Sequence, residues 1–187
     1  ITAKILFNEL HTMYYAYIGN SKKCYEYSLK LIQLIESNPM VIEASINFPT
    51  FYLYRHSIHC SNAGVHAEAL SSIARLETLE PRTDIQKNNL TLKILNTRIT
   101  VYLRMGHIQE AMDLIPQIKT LFETSKQIDS FLKEATYWQV ISLYMITEQY
   151  KLALNWFVKA TLEERFHRQD LECIGRIIDC WLGNHAS

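Results

Sequence analysis

Apolar residues along the chain recur at steps of three and four for most of its length, which is the period of amphipathic helices. Over residues 2–18, Ile5, Leu6, Leu10, Met13 and Tyr17 follow those steps. Over 21–36, Tyr25, Leu29, Ile32 and Ile35 fall on one face. Ser37-Asn38-Pro39 stops that second helix, and its Asn and Pro suit the start of another. The stretch 40–48 predicts a short helical piece, and Pro49 breaks a continuous helix there, so the next one runs from about Pro49 to Asn62. A helix over 65–80 is stopped by Pro81. Thr83 or Asp84 caps a long helix ending at Met105. The pattern over 107–125 is helical, but Pro116 removes a backbone donor inside it and should kink or divide it. A helix starting near Asp129-Ser130 runs to about Thr147. Its partner spans 149–166, and a last helix spans Gln169–Leu182.

These helices come in pairs, and the pairs repeat. Gly106 is followed at five, nine and twelve residues by Ala111, Ile115 and Ile118, and preceded at four by Tyr102. The same spacing gives Ala69, Ile73 and Leu76 after Gly64. It gives Ala153, Phe157 and Ala160 after Glu148, and Cys24, Ser28 and Leu31 after Gly19. Tyr15 and Tyr144 stand four residues before their turns. Gly183 opens a fifth copy that the chain end cuts off, so the intervals are 45, 42, 42 and 35 residues. A glycine tolerates the backbone angles of a short turn, and a small residue five positions on lets two helices approach closely. A period of this size means stacked hairpins, each too small to bury its apolar face alone.

The copies resemble the tetratricopeptide-repeat family. The resemblance rests on Tyr102, Gly106 and Ala111; on Tyr144, Tyr150, Ala153, Phe157 and Ala160; and on Gly64, Ala69 and Pro81. It covers nearly the whole chain, although the middle copies exceed the family's repeat of about 34 residues by roughly two helical turns. The resemblance implies an all-α fold. It would be a right-handed superhelix of about four and a half antiparallel helix pairs, forming a single domain over 1–187. It also implies a concave face lined by the first helix of each pair, about three, six and ten residues before each turn. On that count the candidate peptide-binding residues are Tyr54, Asn96, Thr100, Trp138 and Ser142, with Asn62, Lys93 and Arg104 adjacent. The family's carboxylate-gripping cluster of Lys, Asn and Arg is not expected, because Glu9, Met13 and Ile58 occupy corresponding places.

Composition narrows the function classes. The chain is 48% hydrophobic and 20% charged, with 5 Gly and 4 Pro among 187 residues, which favours helices over long loops. Its formal charge is zero, so no basic face for nucleic acid is implied. No apolar run has membrane-spanning length. Cys24, Cys60, Cys173 and Cys180 fall within helical patterns, which suits reduced thiols in a cytoplasmic protein. The chain begins with Ile inside a helical pattern and reads as a fragment of a longer protein.

Candidate chemistry is sparse. His56, His59 and Cys60 form the one cluster with metal-ligand spacing, but no second spaced pair completes a zinc set. No nucleophile motif or Gly-rich phosphate loop occurs. The sequence therefore points to a non-enzymatic protein- or peptide-binding scaffold without a metal or cofactor. The alternative is a ligand-sensing domain of a peptide-responsive bacterial regulator. Self-association is also expected through an open C-terminal helix exposing Ile174, Ile177, Ile178 and Trp181.

Overall fold

A computed structural model describes residues 2–38, 40, 45–125 and 127–163. The predicted last helix with its self-association face, Cys173, Cys180, the fifth turn at Gly183 and residues 41–44 of the 40–48 piece lie outside those residues. The fold is all-α, without strands among the described residues. Its helices are α1 (Thr2–Tyr17), α2 (Ser21–Glu36), α3 (Asn47–Asn62), α4 (His66–Glu77), α5 (Asp84–Met105), α6 (Ile108–Met112), α7 (Ile115–Thr124), α8 (Ser130–Ile146) and α9 (Tyr150–Glu163).

Side-chain caps fix several starts. Asn20, Thr83 and Asp129 each accept a hydrogen bond from the backbone N–H three residues on. Pro49 does not delay α3, which begins two residues earlier. A proline in the first turn removes a donor that has no intrahelical acceptor. Pro116 does divide its helix: α6 ends at Met112, and α7 restarts at Ile115 with the proline in its first turn. α4 ends at Glu77, short of Pro81, with Thr78 as its cap.

Four corners share one construction. Gly19, Gly64 and Gly106 sit at φ of 72°, 78° and 79°, and Glu148 takes the same left-handed region at 58°. After each, one amide reaches back five residues: Asn20 N–H to Tyr15 O at 2.9 Å, Val65 to Cys60 at 2.9 Å, His107 to Tyr102 at 2.8 Å and Gln149 to Tyr144 at 2.8 Å. This bond closes the helix end with the carbonyls otherwise left open. All twelve positions predicted at five, nine and twelve residues past the turns are buried, including Cys24 and Ser28 in the degenerate first copy.

Glu148 is the only non-glycine described in that backbone region. An L-residue there costs about 1–2 kcal/mol, partly offset because glycine loosens the unfolded chain. Glu148→Gly is therefore expected to stabilise the protein by about 0.5–1 kcal/mol, read as a higher urea midpoint. Gly106→Ala should do the reverse. No atom lies within 4 Å of where its Cβ would stand, so its cost is torsional alone. Equal midpoints for both variants and the parent would remove the strain argument.

α1 packs on α2, α3 on α4, α5 on α6 and α7, and α8 on α9. Successive pairs meet through α2–α3, α4–α5 and α6–α8, and α5 lies against both α3 and α8. The largest apolar core runs from α5 to α9 around Leu95, Ile99, Ile118, Tyr137, Ile141 and Phe157. Two smaller clusters, around Leu53 with Leu76 and around Cys60 with Ile73, join α2 through α5. α1 contributes to none of these. Its sequence stripe turns outward: Leu6, Leu10, Met13 and Tyr17 are exposed, and its one buried residue is Thr12. What holds α1 to α2 is aromatic and polar, with His11 and Tyr15 stacked on Tyr27 at 4.6 and 5.5 Å between centroids. Among the described residues no helix is long and apolar enough to cross a membrane.

Candidate functional site

The first helices of three successive pairs, α3, α5 and α8, lie side by side. Two depressions follow their seams. One, of about 440 Å³, opens between their N-terminal halves and is lined by Phe51, Tyr54, Asn89, Lys93, Asp129 and Phe131, among others. The other, of about 490 Å³, lies over the C-terminal halves of α5 and α8 and is lined by Thr100, Arg104, Trp138, Gln139 and Ser142, with Ile108 at its end. A third hollow, about 530 Å³, lies between α7 and α9 beside Tyr144 and Trp156 and includes none of the predicted residues.

Six of the eight sequence candidates thus line the two seam clefts, Tyr54 and Lys93 in the first, Thr100, Arg104, Trp138 and Ser142 in the second. Asn62 stands at the edge, where its Oδ1 accepts a hydrogen bond from Arg104 Nη2 at 3.3 Å. Asn96 departs from the expectation. It is fully buried beneath the junction of α5 with α3 and α8, so it is not part of an open surface. Neither polar atom of its side chain makes a hydrogen bond of normal geometry, although the Tyr54 hydroxyl faces it.

Tyr54 and Trp138 each serve two surroundings. Tyr54 packs against two core clusters, and burial pushes its hydroxyl pKa up, with Asn96 opposing the rise. Trp138 lies edge-on to Phe157 at 6.1 Å and presents its remaining surface to the cleft. Lys93 reaches over the Tyr54 ring at 5.9 Å. Burial lowers the pKa of its ammonium, and the carboxylate of Asp129 works against that. The rims are therefore polar and the walls largely apolar and aromatic, a surface suited to side chains of an extended chain or a helix.

Sequence reasoning missed Gln139 and Phe131. Gln139 Nε2 donates to Thr100 Oγ1 at 2.8 Å and to the Asn96 carbonyl at 3.3 Å, which ties α8 to α5 between the clefts. Phe131, 80% exposed, stands two turns before Trp138 on the same helix face, so extending the count back by seven residues reaches it.

The His56-His59-Cys60 cluster is a buried polar seam between α2, α3 and α4. Ser28 Oγ donates to Tyr25 O at 2.8 Å, and His56 Nδ1 lies 2.8 Å from the same hydroxyl. Cys60 Sγ lies 3.4 Å from His56 Nε2. One proton arrangement satisfies every contact: thiol to Nε2, Nδ1–H to Ser28, hydroxyl to backbone. It leaves the Ser28 proton committed to a carbonyl. Burial lowers the pKa of His56 to about 4 despite the Glu68 carboxylate 3.7 Å from Nε2, because Glu68 is itself a third exposed and hydrated. His59, with Nδ1 3.2 Å from Cys24 Sγ, is likewise lowered to about 4, by burial first and then by Arg55 and His56. The Cys60 thiol is pushed up to about 12, mainly by burial. Among the described residues no group of three or more His, Cys, Asp or Glu side chains is gathered as metal ligands would be.

No family model matches the chain, and neither does any curated protein or solved structure.

Proposed function

We propose that this chain is a helical-repeat scaffold of the tetratricopeptide-like kind, a right-handed superhelix that binds a protein or peptide along α3, α5 and α8 and carries out no catalysis. The observation that supports it most is the gathering of Tyr54, Lys93, Thr100, Arg104, Trp138 and Ser142 into two clefts on adjoining first helices. Side chains far apart in sequence come together there because each pair presents its first helix in the same way. Arg and Trp are the residue types that most often dominate binding energy.

Peptides selected on this protein from a displayed library should lose at least about tenfold in affinity on Trp138→Ala and on Arg104→Ala. Ligands indifferent to substitution at Tyr54, Lys93, Arg104 and Trp138 alike would move binding elsewhere and remove the proposal. The ligand-sensing alternative uses the same clefts. It would be favoured by a selected peptide that changes the protein's radius of gyration in solution scattering.

A further inference from the structure

The outer face of α1, continued by Ile18, is an open apolar surface. Leu6, Phe7, Leu10, Met13, Tyr14 and Ile18 are each about half exposed, and Tyr17 is 91% exposed. They occupy one side of the helix, while its inward side holds Thr12, His11 and Tyr15. A contiguous apolar face of this kind marks an interaction site. Leu6, Leu10, Met13 and Tyr17 follow a four-three-four spacing, the seam of a helix that packs lengthwise on another helix.

We infer that this face is a self-association surface, on which α1 of one copy packs against α1 of a second. Three observations favour a second copy as the occupant. The Leu6, Leu10, Met13 and Tyr17 seam holds no charged side chain: α1 carries only Lys4, which falls off that seam at helical spacing, and Glu9, which is paired with Arg55. Two-fold pairing sets a surface against itself, so a charged seam would repel its own copy, and this one does not. Its Phe, Met and Tyr side chains are of the types enriched at interface centres. Seven such side chains present roughly 700 Å² per copy, near the ~800 Å² per partner of a stable interface. The surface is separate from the α3–α5–α8 clefts, so this inference stands or falls independently of the proposed function.

Sedimentation velocity over a rising concentration series tests it. The protein should shift from monomer to dimer, and Leu10→Glu and Met13→Glu should each keep it monomeric throughout. Both positions are exposed in the monomer, so the thermal midpoint at the lowest concentration should match the parent's. Leu162→Glu, on the exposed face of α9, should leave the dimer intact. A parent that stays monomeric at the highest concentration overturns the inference. So does a dimer that survives both α1 substitutions, or one that Leu162→Glu dissolves.

Discussion

Lowering the pH from 7 to 5 is expected to reduce stability by about 3–4 kcal/mol, through His56 and His59. Both rings are held neutral by burial, with pKa values lowered from 6.5 to about 4. Between those two values the unfolded chain binds protons that the folded chain refuses. The stabilisation is therefore complete above about pH 6.5 and is lost progressively as pH falls toward 4. Lowering a pKa by one costs the protonated form about 1.4 kcal/mol, so each ring accounts for a little under ~2 kcal/mol by pH 5. Against a total of about 5–15 kcal/mol for a domain, that is a large fraction. The hydrogen-bond chain gives a structural reason for the cost. Protonating His56 places a second donor at Nε2, where the Cys60 thiol already points its own hydrogen. Urea midpoints at pH 7 and 5 measure the effect, in a range above most carboxylate titration. A His56→Gln/His59→Gln variant should be less stable than the parent at pH 7 and much flatter between the two. Equal pH slopes for parent and variant would assign the acid sensitivity to other groups.

The recurring corner was legible because its marks are local. The left-handed corner favours glycine, as at Gly19, Gly64 and Gly106, and the small residue at plus five is fixed by close helix approach. The corner and the small residue both survive at Glu148 and Ala153, where the glycine itself is gone. Pro116 was legible for the same reason, since a missing donor acts within one turn. What escaped was whatever depends on the neighbouring pair. α1 has a well-formed apolar stripe, but nothing in its sequence says which side meets α2. There the aromatic stack on Tyr27 and the Thr12 carbonyl, which accepts from Cys24 Sγ at 3.4 Å, prevail over the aliphatic residues. Asn96 was misplaced on similar grounds. Counting residues from the turn finds the right helix face but not its depth, and depth at that point is set by Tyr54 and Gln139 closing over it from two other helices.

Depth also separates the two aromatic neighbours Tyr137 and Trp138, and Tyr137→Ala should be the most damaging single truncation considered, at about 3–5 kcal/mol. Tyr137 is fully buried. Its ring meets Phe122 of α7 at 5.0 Å and Trp156 of α9 at 5.8 Å, with the Lys133 ammonium 5.9 Å from its centroid. Removing it empties the point where three helices of two successive pairs converge, and such a site cannot collapse without moving α7 or α9. Trp138, one residue and about 100° further round the helix, keeps part of its ring in the cleft, so Trp138→Ala should cost only about 1–2 kcal/mol of stability while removing peptide affinity. Paired denaturation and binding measurements on the two variants test the helix register directly. A stability loss larger for Trp138→Ala than for Tyr137→Ala would mean that α8 is rotated from the orientation described, and the α5–α8 cleft would lose its lining with it.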